Sequence, residues 1–139
     1  MITYVDTSAL LKLLVNDEAG TATMEQLWVS STSVVCCEIG YVEARAALGA
    51  AHRARRVTTP GLRTARVALD GIWAQLDVVP VTIDLIRQSA DLAEAEGLRG
   101  YDAIHLAAAL LVPVDTFASS DSRLCEAAAR HGLNVSRSR

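Results

Sequence analysis

Aromatic side chains make up only 4% of this 139-residue chain, and there is a single phenylalanine. Half of the residues are nonetheless hydrophobic (51%), dominated by Ala, Leu and Val, which suits helices packed on a sheet. No apolar run approaches the ~18 residues of a membrane span, and the start of the chain lacks a basic region followed by a signal-like cleavage site. A soluble, cytoplasmic protein is expected. Cysteine is scarce too: Cys36, Cys37 and Cys125 form no C-x-x-C motif, and their odd number argues against a disulfide framework. They read as small core hydrophobes, with the adjacent Cys36 and Cys37 on opposite faces of a strand. Lysine is nearly absent, since Lys12 is the one lysine among thirteen cationic residues. Net charge is −3, which gives no global attraction for nucleic acid. A local basic patch is still expected from His52 to Arg56 with Arg63 and Arg66, because no acid intervenes before Asp70. It suits either a solvated helix end or an RNA contact.

Strand-like and helix-like segments alternate along the chain, which predicts an α/β domain covering residues 1–139 with a largely parallel sheet. Strands are expected at Ile2–Val5, Ser33–Cys37 (or an extended helix entry), Asp77–Val81, Val114–Ala118 and Leu133–Val135. Helices are expected at Ser8–Val15, Thr21–Val29, Glu38–Arg55, Thr59–Leu76, Ile83–Glu96, Asp102–Leu111 and Arg123–His131. Pro60 suits a helix start, where its missing N–H costs little. Thr82 is an expected cap, and Gly97 and Gly132 are expected helix ends. In the Thr59–Leu76 helix the inward residues should be Val67, Ile72, Trp73 and Leu76. Repeats and low-complexity tracts are lacking.

Four carboxylates stand beside sequence that looks buried: Asp6, Glu43, Asp102 and Asp121. A lone ionised carboxylate there is costly without a partner. Asp6 and Asp121 each follow a strand, where ligands bind in parallel α/β sheets, yet each also suits a helix N-cap. Asp102 is equally placed as a cap or a first-turn acid favoured by the helix dipole. Glu43 shares an i, i+3, i+4, i+7 stripe with Ile39, Val42 and Ala46 that reads as core-facing, with no evident cation nearby except Arg45, on a different face. Glu38 reads as a first-turn acid, and His105, three residues after Asp102, as a satisfied core histidine. Carboxylates gathered without a His/Cys cluster suit a hard cation, Mg²⁺ or Mn²⁺. Such a site serves phosphodiester hydrolysis.

Four ordered blocks carry a resemblance: Val5–Lys12 (VDTSALLK), Tyr41–Leu48 (YVEARAAL), Leu98–Ala107 (LRGYDAIHLA) and Phe117–Leu124 (FASSDSRL). Together they resemble the PIN-domain family, and more narrowly the VapC toxins of toxin–antitoxin pairs. The third block is the most specific, and the match spans nearly the whole chain. The resemblance implies a PIN-like α/β fold, with a central, mostly parallel five-stranded sheet flanked by helices. It implies a Mg²⁺- or Mn²⁺-dependent endoribonuclease restrained by a cognate VapB-type antitoxin. The family's acidic quartet falls on Asp6, Glu43, Asp102 and Asp121, and its hydroxyl positions fall on Ser8 and Ser119, which would orient a carboxylate or a water. An antitoxin arginine entering the pocket is part of the same expectation.

Two phosphoryl-transfer alternatives fail on inspection. A haloacid-dehalogenase-like site wants an Asp at position 8, which is Ser8, and a receiver domain wants a late lysine. A non-catalytic module whose acids bind metal or a partner's arginine stays open at this point. Leu10, Leu13, Leu14, Trp28 and Tyr41 exceed the needs of one core face, so some should lie at a homodimer or antitoxin interface.

Overall fold

The computed structural model describes residues 1–15 and 19–138. Five strands form one sheet: β1 (Ile2–Val5), β2 (Ser33–Cys37), β3 (Asp77–Val79), β4 (Thr116–Ser119) and β5 (Asn134–Arg137). The helices are α1 (Thr7–Lys12), α2 (Thr21–Ser30), α3 (Ile39–Arg53), α4 (Thr59–Trp73), α5 (Ile83–Glu96), α6 (Gly100–Leu110) and α7 (Ser122–Arg130). Strand order is β3-β2-β1-β4-β5, and every pairing is parallel. No helix among the described residues is long and apolar enough to cross a membrane.

Strand alternation sorts the core into two layers. Tyr4, Val35, Cys37 and Phe117 pack with Leu85, Leu106 and Leu124 of α5, α6 and α7. Val5, Val34, Cys36 and Ala118 face the opposite way, onto Leu10, Met24, Leu48 and Leu69 of α1 to α4. Covering both faces explains why β1 and β2 read as nearly continuous apolar runs. Each fully buried leucine, Leu69 and Leu106 among them, contributes about 2 kcal/mol. All three cysteines are free and buried, with Cys36 and Cys37 on opposite faces.

Local signals placed several boundaries. Thr58 caps α4 and Thr82 caps α5 through their hydroxyls, and Pro60 lies in the first turn of α4. Gly97 ends α5 at φ 65°, a left-handed position natural to glycine, and Gly132 follows α7 at φ 87°. Other expectations need correction. The inner line of α3 is Gly40, Ala44, Leu48 and Ala51, while Val42 and Ala46 are exposed. The cause is Gly40: a Cβ there would stand 2.6 Å from Cys36 Sγ, so the helix backbone approaches the sheet along the glycine line. Glu43 is thereby turned to the flank of α3, half-buried. In α4 the inner line is Ala65 and Leu69 with Ile72 and Trp73, and Val67 on the opposite side is 74% exposed. Leu10 belongs wholly to the core, and Leu13, Leu14, Trp28 and Tyr41 pack partly buried against the same cluster. Helix α1 stops at Lys12 rather than Val15, and α6 starts at Gly100, which puts Asp102 inside its first turn.

Candidate active site

Strand order reverses between β1 and β4, because β2 and β3 lie on one side of β1 and β4 and β5 on the other. The crevice beyond the carboxyl ends of two such strands is where parallel α/β sheets bind ligands. Asp6 leaves β1 there and Asp121 follows β4. The sequence left each as either a cap or a site residue, and the structure makes them both caps through Oδ1, with Oδ2 bound by Ser119 in Asp6 and by Arg99 in Asp121. Asp6 Oδ1 accepts from Ala9 N–H (2.9 Å) and Ser8 Oγ (2.7 Å), while Oδ2 accepts from Ser119 Oγ (2.6 Å). Asp121 Oδ1 accepts from the N–H groups of Arg123 (2.9 Å) and Leu124 (3.1 Å), and Oδ2 faces Arg99.

The two serines join the strand ends. Ser119 Oγ accepts from Asp121 N–H (3.0 Å) while donating to Asp6, and Ser8 Oγ accepts from Ser120 N–H (2.9 Å) while donating to Asp6. Asp6 is 4% exposed, and burial raises its pKa; the hydrogen bonds from Ser119, Ser8 and Ala9 oppose that shift without cancelling it.

Glu43 is held by a chain of donors that begins in the core. Cys37 N–H donates to Tyr4 Oη (3.1 Å), which leaves the phenol proton for His105 Nδ1 (2.7 Å). The other ring nitrogen, Nε2, then donates to Glu43 Oε1 (2.7 Å), which also accepts from Thr7 Oγ1 (2.7 Å). His105 is the satisfied core histidine expected, 2% exposed, and it also orients the carboxylate. Burial pushes Glu43 up, but the hydrogen bonds from His105 and Thr7 outweigh it and leave its carboxyl below the usual range. Glu38, expected as a first-turn acid, stands at the N-cap position and accepts from Val81 N–H (2.7 Å).

Asp102 meets a group the sequence reading passed over. Arg99 Nε donates to Asp102 Oδ2 (3.0 Å), and Arg99 Nη2 donates to Asp121 Oδ2 (3.4 Å). A pocket of about 280 Å³ opens here, lined by Gly97, Leu98, Arg99, Asp102, Asp121 and Arg123. Asp102 and Asp121 thus share one guanidinium, Asp6 and Asp121 share Ser119, and Glu43 joins through Thr7, the residue after Asp6. Among the described residues, no three His, Cys, Asp or Glu side chains are set together to hold a metal ion. Two carboxylates are set around a cation already, that of Arg99, and an all-oxygen pair suits a hard divalent ion. Mg²⁺ typically takes one or two carboxylates and completes its shell with water and phosphate. Asp102 and Asp121 fit that demand. Thr7, Tyr4 and Arg99 went unnoticed in the sequence, although an arginine three residues before Asp102, at a helix start, was a usable signal.

Known proteins agree with this architecture. The PIN domain profile matches residues 3–130. Ribonuclease VapC49 of Mycobacterium tuberculosis is 36% identical over 136 residues, covering 96% of this chain and 94% of the relative. Ribonuclease VapC47 of the same species is 35% identical over 127 residues, covering 87% and 85%. Among solved structures, M. tuberculosis VapC20, a toxin that cleaves the sarcin-ricin loop, superposes with a TM-score of 0.75 at 23% identity, covering 97% of this chain and 98% of that one. PAE2754 from Pyrobaculum aerophilum gives 0.74 at 20%, covering 97% and 83%. With the sheet order, the profile and these relatives in agreement, the chain belongs to the PIN-domain family, in its VapC branch.

Proposed function

We propose that this protein is a divalent-metal-dependent endoribonuclease toxin, a single domain acting in the cytoplasm and restrained by a cognate VapB-type antitoxin. The observation that carries the reading is the pair Asp102 and Asp121 gathered on one cation at the β1/β4 crevice, tied to Asp6 by Ser119. Ribonuclease relatives sharing about a third of its residues support the reaction over a non-catalytic binding role. In this reading Asp6, Glu43, Asp102 and Asp121 are catalytic and serve the metal, Mg²⁺ or Mn²⁺. When bound, that ion supplies charge stabilisation at the phosphoryl oxygens and lowers the pKa of a water. The chain's own residues do the rest. Asp102 and Asp121 present Oδ2 to the pocket, Ser8 and Ser119 fix the plane of Asp6, and His105 and Thr7 fix Glu43. With Oε1 occupied by those donors, Glu43 Oε2 is the oxygen left to take a proton from attacking water.

The antitoxin's seat follows from packing. A groove of about 280 Å³ between α1 and α3 is lined by Leu11, Val15, Ala47, Leu48, Ala51, Arg56 and Val57. It fits an apolar segment of a partner, and Arg56 at its edge suits an acidic one. Structural neighbours include VapBC-5 from Mycobacterium tuberculosis, a member of a family of toxin–antitoxin systems, at a TM-score of 0.61 and 20% identity. A homodimer is proposed through the exposed apolar residues of α5 and the start of α6, Ile83, Ile86 and Tyr101, with Val42 nearby across a shared hollow with Tyr101.

The test is cleavage of RNA by the purified chain with Mg²⁺ or Mn²⁺, with and without EDTA. Cleavage that persists in EDTA overturns the metal reading. No cleavage of total cellular RNA by the wild type under any divalent ion overturns the enzyme.

A further inference from the structure

Arg99 breaks a local rule. It occupies the N-cap position of α6 with extended backbone (φ −64°, ψ 153°) and offers no acceptor to the helix. N-caps are normally Ser, Thr, Asp or Asn, and the positive end of a helix disfavours a nearby cation. The side chain is 79% exposed, so packing does not hold it there either. What it touches is Asp102 Oδ2 on one side and Asp121 Oδ2 on the other, the two oxygens facing the pocket. Departures from local preference without a structural benefit are concentrated at functional sites.

We infer that Arg99 is an exchangeable internal cation that closes the Asp102–Asp121 pair and gives up that place when a divalent ion enters. The inference rests on the metal site proposed above and adds a competitor built into the chain. A guanidinium and a divalent ion want the same two oxygens. The guanidinium is the weaker ligand because it is solvent-exposed on a flexible stem, and exposed ion pairs are individually weak. Its single positive charge offsets part of the repulsion between two nearby carboxylates without metal, and its departure is the cost of loading. Arg123 lines the same pocket but makes no ion pair among the described residues, so it separates competition for the oxygens from the general field of a positive charge.

The test is Mn²⁺ binding by the full chain, measured by calorimetry and by the paramagnetic resonance signal of free Mn²⁺, with no RNA present. Arg99→Gln should tighten Mn²⁺ binding about threefold to tenfold, the return of two weak exposed pairs. Arg123→Gln should change it less than twofold, about the effect of one screened charge. In EDTA, Arg99→Gln should melt below the wild type, because its two carboxylates lose their shared counter-charge, and saturating Mn²⁺ should close that gap. Unchanged or weaker Mn²⁺ binding by Arg99→Gln, with the wild type binding normally, overturns the inference and spares the proposed function. Equal tightening by both arginine variants also overturns it, since the effect would then be the field alone. If neither wild type nor Arg99→Gln binds Mn²⁺, the inference and the metal site fail together.

Discussion

Ser119→Ala removes one oxygen, and its effect can be worked out from two contacts. Ser119 Oγ is fully buried, donates to Asp6 Oδ2 at 2.6 Å and accepts from Asp121 N–H at 3.0 Å. The first is a charge-assisted bond to a carboxylate with almost no water to replace it. Its loss, with the Asp121 N–H left short of an acceptor, should cost about 2–3 kcal/mol at neutral pH. The cost depends on pH in a defined direction. Burial holds Asp6 above its ordinary pKa of 3.8, so the folded state binds its proton more tightly than the unfolded chain does. Stability from this group is therefore greatest below the unfolded value and falls as pH rises through the folded one. Ser119 stabilises the charged form, so removing it raises the folded pKa further and deepens the fall. The difference between wild type and variant should be small in acid, grow as pH rises through the two folded values, and level off above them. Denaturant unfolding of both proteins, from neutral pH down to the lowest pH at which the wild type stays folded, measures it. A difference that does not vary with pH, or one under about 0.5 kcal/mol at neutrality, refutes the reasoning.

Four further outcomes are expected. Asp102→Asn should lose more than tenfold in RNA cleavage, roughly 1.4 kcal/mol of barrier or more, with its circular dichroism unchanged. Glu43→Gln should be destabilised at neutral pH and approach the wild type in acid: its lowered pKa contributes stability above the ordinary value of 4.5, lost as pH falls through the folded value, and thermal melts across that window check it. Co-expression with the antitoxin should restore growth arrested by the toxin alone, and Ala47→Glu in the α1/α3 groove should weaken co-purification at least tenfold while RNA cleavage persists. Sedimentation should show a dimer that Ile86→Asp shifts toward monomer, the solvent-exposed Ile86 leaving the fold itself intact.

Legibility of the sequence followed the range of the forces involved. Thr82, Gly97 and Gly132 announced their roles because capping and left-handed turns are local. Asp6 and Asp121 were visible as acids behind strands, and what could not be read was that each caps a helix with one oxygen and turns the other to a residue distant in sequence, Ser119 for Asp6 and Arg99 for Asp121. Glu43 was singled out for a stripe that the structure moves by one residue. The shift comes from the approach of Gly40 to Cys36 Sγ, a contact between a helix and a strand that periodicity does not encode. Val67 failed for a related reason: Ala65 and Leu69 set the inner line of α4, and small alanines weigh little in a hydrophobic pattern. Tyr4 and Thr7 went unnoticed, since their donors and acceptors lie about 30 to 100 residues away. A largely parallel sheet was legible from alternation alone; its five strands came from the resemblance, and its order was not legible.

That order has a consequence for how such a protein is made. β1, the first strand synthesised, sits between β2 and β4, and Asp6 completes its hydrogen bonds with a serine 113 positions later in the chain. Glu43 has Thr7 from the start but must wait for α6 to bring His105. Asp6 must wait for β4 to bring Ser119, and Arg99 reaches Asp121 only after that. A chain that would injure RNA is thus chemically unfinished until β4 and Asp121 have left the machine that makes it.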